Sequence, residues 1–407
     1  MELPAGPLAY RSKVPAMPLS AEEVHHILFA GVGESGVHLG DMQYARRAGA
    51  EDGQGMAIMG FQGRTSPSAC AANATKLFMS DDEGLYFVDM APAPGTGVAP
   101  RLTRLQDSRL DIPRMLPFML SFNQWYANRP GTLYLVPVTN VSTVYLNLLL
   151  SLLSEEYGYF IVDTDQGGRS CGLDRFRVSR GGHLHDDAAK RRTMTLRELD
   201  AAIAGTALQE QGAICQNMYL MIQAMGLGGG IHSVGSGRHL LGWEPAMCRG
   251  LGFHFAPSPV AGVRSNPVGH SEAWRGALPP FVSSMTESVL DLLASKFGPG
   301  GSYGASGARP WTGAADGLIA PHDDRAVEAV IAFCDYVYTT YGRFPAHEDA
   351  FKTVIAFQAH HVDAEFYDTF YPKDSLPEAH RNHGAAWHAE ERWMYDTEDS
   401  AHKEGIR

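Results

Sequence analysis

Residues 212–230 constrain this chain more than any other stretch. Gly212-Ala213-Ile214-Cys215-Gln216-Asn217-Met218-Tyr219-Leu220-Met221-Ile222-Gln223-Ala224-Met225-Gly226-Leu227-Gly228-Gly229-Gly230 reads as a helix apolar on nearly every face, broken only by Gln216, Asn217 and Gln223. Such a helix has no face to give to water and must be covered on all sides. It is too short and too polar to cross a bilayer, which takes about 20 predominantly apolar residues. Gly226 can take the left-handed conformation that ends a helix, and Gly228-Gly229-Gly230 lets another group approach the backbone closely. A buried helix feeding a glycine-rich turn suits a subunit interface beside a flat cofactor. A central core helix with a flexible exit fits the same residues.

Length and charge exclude some classes. The 407 residues allow one large domain or two modest ones, and 44% apolar content supports a full core. The formal charge of −12 argues against a nucleic-acid partner, since phosphate binding needs clustered Lys and Arg. The run Lys190-Arg191-Arg192 follows Asp186-Asp187 and reads as a solvated loop. Cysteines 70, 171, 215, 248 and 334 are scattered without a CxxC pair, so neither a zinc knuckle nor a dithiol centre is indicated, and a reducing compartment fits. The first residues lack a charged and an apolar region of signal-peptide type. The Leu146–Leu153 run is short and ends in Ser154-Glu155-Glu156. The expectation is a soluble, cytoplasmic protein without membrane contact.

Along the chain, residues 1–19 read as an extended or disordered arm. Ser20 with Glu23 forms a capping-box start for a helix carrying Val24, Ile27, Leu28 and Phe29. Residues 77–79 and 85–89 read as a hairpin, 132–138 as a strong strand, 144–153 as a buried helix and 159–163 as a strand. The polar, glycine-rich segment 164–192 reads as a long, lid-like surface loop. Helices over 196–204 and 208–225 and a strand over 251–255 follow. The body spans 20–297, 298–313 is a linker, and 314–407 is a helical C-terminal extension with helices over 325–341 and 349–370. Strands and helices alternate without βαβ regularity, which predicts an α+β sandwich: a mixed or antiparallel sheet flanked by helices.

Two motifs carry a family resemblance. Gly63-Arg64-Thr65-Ser66-Pro67-Ser68-Ala69-Cys70-Ala71-Ala72-Asn73-Ala74-Thr75-Lys76 precedes the strand Leu77-Phe78-Met79, and the Gln216-Asn217 helix follows later and ends in Gly226-Leu227-Gly228. In spacing and order they resemble the nitroreductase-like flavoprotein superfamily. Glu83-Gly84-Leu85-Tyr86-Phe87 resembles its azoline-dehydrogenase branch. The resemblance covers about residues 20 to 260. It implies a homodimer with FMN between the subunits, hydride exchange between flavin N5 and a small organic or peptide-derived substrate, and NAD(P)H as a transient electron donor where the reaction is a reduction. No dinucleotide fingerprint follows a strand.

On that reading the phosphate or ribityl chain falls to Arg64, with short donors from Ser66 and Ser68 and a turn stiffened by Pro67. Asn73 meets the flavin edge with a donor and an acceptor. Thr75-Lys76-Leu77 stands where relatives often have Gln-Pro-Trp, and Lys76 is a candidate near N1/O2. The resemblance sets Gly228, Gly229 and Gly230 beside the ring and Gln216 and Asn217 on the dimer-facing helix. His232, just beyond, is a candidate proton donor. Arg264 is the late phosphate ligand and Arg238 its runner-up. The early Arg-Arg/Ser motif is not clear, although Arg46-Arg47 lies in the right region. That gap supports an alternative, a non-catalytic relative acting as a binding or partner subunit.

The tail is rich in histidine. His347, His360, His361, His380, His383 and His388 stand beside Asp363, Glu365 and Asp368, with His361/Glu365 and His360/Asp363 at helical spacing. Neither HExxH nor ExxH occurs in this tail, so no metal ligands are assigned, and the region reads first as aromatic packing through Phe357, Phe366, Tyr367, Phe370, Tyr371, Trp387 and Trp393. A metal-dependent enzyme built on these histidines is a further alternative.

Overall fold

Leu77, Phe78 and Met79 are all apolar in a chain segment whose side chains alternate between two faces, so a strand here must be covered on both sides. The computed structural model bears this out. It describes residues 1–37, 60, 62–89, 100–120, 123, 128–187, 189, 191–303 and 321–388. Arg46-Arg47, Lys190, Trp393 and most of the 298–313 linker lie outside the described residues.

The sheet uses β1 (Thr75–Ser80), β2 (Leu85–Asp89), β3 (Arg101–Gln106), β4 (Leu133–Asn140), β5 (Gly228–Ser233), β6 (Phe351–Lys352) and β7 (Ile355–His360). Its order is β5-β7-β4-β1-β2-β3, with β6 also pairing β4. Every pairing in it is antiparallel. The helices are α1 (Ala21–Val32), α2 (Val141–Leu152), α3 (Leu196–Met225), α4 (Met285–Phe297) and α5 (Asp324–Tyr341). One sheet face, with Leu77, Met79, Val88, Leu135 and Phe357, packs on Ile27 and Leu28 of α1 and on Ile214, Met218 and Ile222 of α3. The other face, with Phe78, Phe87 and Val136, packs on α2 and α5 through Tyr145, Leu149, Val330 and Phe333. The architecture is α+β, as the sequence predicts. No helix among the described residues is long and apolar enough to cross a membrane.

Local signals explain the helix ends. Ser20 Oγ accepts from the Glu23 amide while Glu23 Oε2 accepts from the Ser20 amide, the reciprocal capping box. Thr195 and Glu198 form a second one that starts α3, and Gly226, at φ 82°, ends it.

Two expectations are corrected. Residues 349–370 are not one helix: β6 and β7 occupy 351–360 and only Ala364–Phe370 is helical. Because β7 lies between β5 and β4, the sheet runs across residue 300, and the C-terminal part is not simply helical. The 164–192 segment is a mostly exposed surface loop, as expected, and it is anchored: Cys171, Leu173 and Leu184 are fully buried and Tyr336 and Tyr341 of α5 donate to Asp163 at its root. In the single chain one side of α3 is open: Leu208, Tyr219 and Leu220 are exposed, and a Cβ at Gly205 or Gly212 would meet nothing within 4 Å.

Candidate functional site

The first motif folds into a strained loop. Cys70, Ala71 and Asn73 have φ of 53°, 50° and 45°, left-handed values that cost a non-glycine residue about 1–2 kcal/mol each. Non-glycine residues hold such angles only where their surroundings impose them. Here the restraint is a relay: the Asn73 amide donates to Ser68 Oγ at 2.8 Å, and Ser68 Oγ donates to Glu210 Oε1 at 2.5 Å. The Ala74 amide also reaches Oε1, at 3.2 Å, and Thr75 Oγ1 donates to Oε2. Glu210 is buried on α3, so one carboxylate ties that helix to the loop and to the first residue of β1.

This contact lines a narrow cleft with a cavity volume of about 30 Å³, open to solvent at its mouth. Val32, Leu77, Val88 and Ile214 give its apolar walls, and Arg64, Ser66, Ser68, Asn73, Thr75, Lys76, Asp89 and Glu210 its polar groups. Arg64 Nη1 donates to the Val32 carbonyl at 3.0 Å and lies 3.4 Å from Glu34. Burial lowers the Arg64 pKa, with Glu34 opposing. Burial likewise lowers the Lys76 pKa, opposed by Asp89. The Lys76 ammonium lies 5.4 Å from the ring centre of Phe87 and 5.5 Å from that of Trp274, a cation–π seat.

The structure thus brings Arg64, Ser66, Ser68, Asn73 and Lys76 together. Pro67 is exposed beside them. Asn217 Nδ2 donates to the Thr65 carbonyl at 2.9 Å, so the two motifs do touch, through the helix. Gln216 is exposed on α3, one turn from Tyr219 and Gly212.

Within one chain the glycines do not join them. Gly228–Gly230 form no turn: they begin β5, paired with Gln358–His360. A Cβ on Gly229, at φ 134°, would stand 1.9 Å from the Gln358 carbonyl oxygen, so strand pairing demands that glycine. Within one chain β7 and β4 separate β5 from β1, three strand spacings or about 14 Å. The register also sets Gly228 at the Ser80 end of the sheet, whereas the cleft opens at the Thr75 end. His232, on the same strand, is buried beside Tyr134, and burial lowers its pKa.

The two late arginines are also elsewhere. Arg238 Nη1 lies 2.7 Å from Asp349 Oδ1 and Arg264 Nε 3.5 Å, beside the buried Arg343 at 2.8 Å. None of the three lines the cleft. Glu210, the residue that organises the site, is absent from the motif reading. Its signal is its register with Ile203, Ala207 and Ile214, which places a carboxylate on the buried stripe of an amphipathic helix.

No protein-family model matches this chain, and no curated protein matches it. Among solved structures, the chain is similar to a presumptive nitroreductase from Ralstonia eutropha JMP134, with 17% identity and a TM-score of 0.23. The match covers 54% of this chain and 63% of that protein, so the chain spans less than two thirds of its length.

Proposed function

We propose that the cleft between α1, α3 and β1 binds FMN and that the protein is a flavin-dependent oxidoreductase of nitroreductase-like type, acting as a homodimer. The observation that supports this is the convergence of the first motif on Glu210. A cation (Arg64), an amide (Asn73) and hydroxyls (Ser66, Ser68) meet at one strained, restrained loop. These groups fit the cofactor's needs. Arg64 uses few of its five N–H groups on Val32 and Glu34 and has others for a phosphate or ribityl oxygen. Asn73 matches a ring edge that both donates and accepts. A phosphate would be repelled by Glu210, so that carboxylate suits the N–H of the ring edge instead. The hydride chemistry at N5 is the flavin's own, and the protein supplies binding, orientation and electrostatics.

The cleft of one chain does not enclose a tricyclic ring, and a second copy supplies the missing wall. The exposed side of α3, turned away from the cleft, supports the subunit contact itself. Ala201, Gly205, Leu208, Gly212, Gln216 and Tyr219 share one face, small or apolar at most positions, directly behind Glu210 and Ile214. The substrate is a small organic or peptide-derived molecule, with NAD(P)H as the electron donor where the reaction is a reduction. Gly228–Gly230, His232 and Arg264 have no part in this proposal.

One observation favours a second reading. The hydroxyls of Ser68 and Thr75 already donate to Glu210, so the loop is self-satisfied, as in a relative that keeps the fold as a partner subunit without the cofactor. Adding FMN to purified protein separates the two. Micromolar, stoichiometric binding that weakens in Arg64→Ala and Asn73→Ala supports the first reading, and no binding supports the second.

A further inference from the structure

Four side chains from three distant parts of the sequence meet beside the N-terminus of α1. Glu23 Oε1 lies 2.7 Å from His383 Nε2 and 3.0 Å from both His361 Nε2 and His388 Nε2. Glu23 is fully buried, and His383 and His388 are nearly so. The four donor atoms all lie within 4.8 Å of one another.

The outward nitrogens decide what the inward ones can be. His383 Nδ1 is 2.7 Å from the Met225 carbonyl and His361 Nδ1 is 3.1 Å from the Met17 carbonyl. A carbonyl only accepts, so each Nδ1 carries the proton, and in a neutral ring Nε2 then presents a lone pair. Lone pairs aimed at a carboxylate oxygen repel it. One ring can donate to Glu23 Oε1, as the 3.0 Å hydrogen bonds of His361 and His388 allow, but three doubly protonated rings around one carboxylate would leave two uncompensated buried charges, at several kcal/mol each. The geometry at His383 adds an independent sign. Its Nε2 is within 2.7 Å of Oε1 yet makes no hydrogen bond, because the oxygen lies out of line with the ring. Rings held by a backbone carbonyl on Nδ1, with Nε2 turned inward, are the usual setting of metal-ligating histidine. Glu23 has the same division: Oε2 is held by the Ser20 amide at 2.6 Å and Oε1 faces the histidines.

We propose that Glu23, His361, His383 and His388 form a closed, four-coordinate site for a divalent transition metal, zinc by donor type and number. Three imidazoles and one carboxylate complete a tetrahedron without an open position, which is the pattern of a structural zinc site. With bonds of about 2.0–2.2 Å the donors of such a set stand about 3.4 Å apart, so the Glu23–histidine separations open by less than an ångström on binding, within a set whose donors already lie inside 4.8 Å. The ion would clip the segment after β7 and the C-terminal helix His383–Trp387 onto α1, where Trp387 already stacks on His383. The site is separate from the Ser68–Glu210 cleft and does not depend on what that cleft binds.

The test uses untagged, full-length protein. Elemental analysis as purified, followed by chelation, dialysis and titration with Zn²⁺ and Co²⁺, should give about one tightly bound ion per chain, with the intense visible bands of tetrahedral cobalt. Glu23→Gln, His383→Ala and His388→Gln should each weaken zinc binding by at least about tenfold. His26→Gln, a nearby histidine outside the set, should keep it. A binding-competent wild type makes the test independent of how well the variants fold, because cobalt reports the ligand set directly. Failure of the chelated wild type to bind zinc or cobalt, octahedral cobalt spectra, or undiminished binding in the folded Glu23→Gln and His388→Gln variants would overturn the assignment.

Discussion

Glu210→Ala is the sharpest test of how the cleft is held. Three donors lose their acceptor: Ser68 Oγ, the Ala74 amide and Thr75 Oγ1. They do not lose equally. Thr75 Oγ1 is 2.7 Å from Thr139 Oγ1 and can turn to it. The Ala74 amide is fixed by the backbone and stays buried without a partner, at about 1–3 kcal/mol. Ser68 loses a charge-assisted bond of about 1.5–3 kcal/mol. Part of this is returned because a buried carboxylate no longer has to be desolvated, so the net loss is about 2–4 kcal/mol. Glu210→Gln keeps one acceptor oxygen and loses about 1–2 kcal/mol. Urea unfolding without added cofactor reads both as shifts of the midpoint at constant slope. If Glu210→Ala unfolds within about 0.5 kcal/mol of the parent protein, the relay does not restrain the loop and the reasoning about its strain fails.

Other outcomes follow from the same structure. Cys70 is exposed while Cys171, Cys215, Cys248 and Cys334 are buried, and burial pushes the Cys215 thiol up to about 12; mass spectrometry after brief alkylation of native protein should find Cys70 alone modified, and labelling of Cys215 before unfolding would contradict the packing of α3. Gly229→Ala should cost about 3 kcal/mol or more through its clash with Gln358. Gly212→Arg should leave a folded monomer by light scattering, and a dimer that survives it would remove α3 as the subunit contact. Burial, with the Lys296 charge next, lowers His322 from its ordinary 6.5 to about 4. The unfolded state therefore binds more protons between those values, so this contribution is complete above pH 6.5 and lost as pH falls to about 4, at most about 3 kcal/mol. His322→Gln should flatten urea stability across that window, and an unchanged acid limb would contradict the burial of His322.

Much of the fold is legible where one local signal dominates. The Ser20–Glu23 cap, the 77–89 hairpin, the strand read over 132–138 (observed as Leu133–Asn140) and the Gly226 stop are all present. Residues 355–360 were not legible as a strand, because Ile-Ala-Phe-Gln-Ala-His suits a helix as well, and only the tertiary slot between β5 and β4 decides. Gly228–Gly230 reads as a turn because glycine weakens a strand, yet the close approach of Gln358 needs it there. In the cleft, the residues adjacent in sequence, Arg64 to Lys76, could be found from their motif. Glu210 could not, since its partners lie more than 130 residues away. Glu23 was legible as a cap but not as the meeting point of three histidines, two of which lie beyond the sheet at no recognisable ligand spacing.

The claim that the Ser68–Glu210 cleft holds a flavin is tested most directly by titrating the purified, full-length protein with FMN. Flavin fluorescence and absorbance report binding, beside the absorbance spectrum of the protein as purified. The account predicts a yellow protein, or a colourless one that takes up one FMN per chain, with affinity reduced at least about tenfold by Arg64→Ala. A colourless protein that leaves the flavin spectrum and fluorescence unchanged at saturating FMN would contradict it.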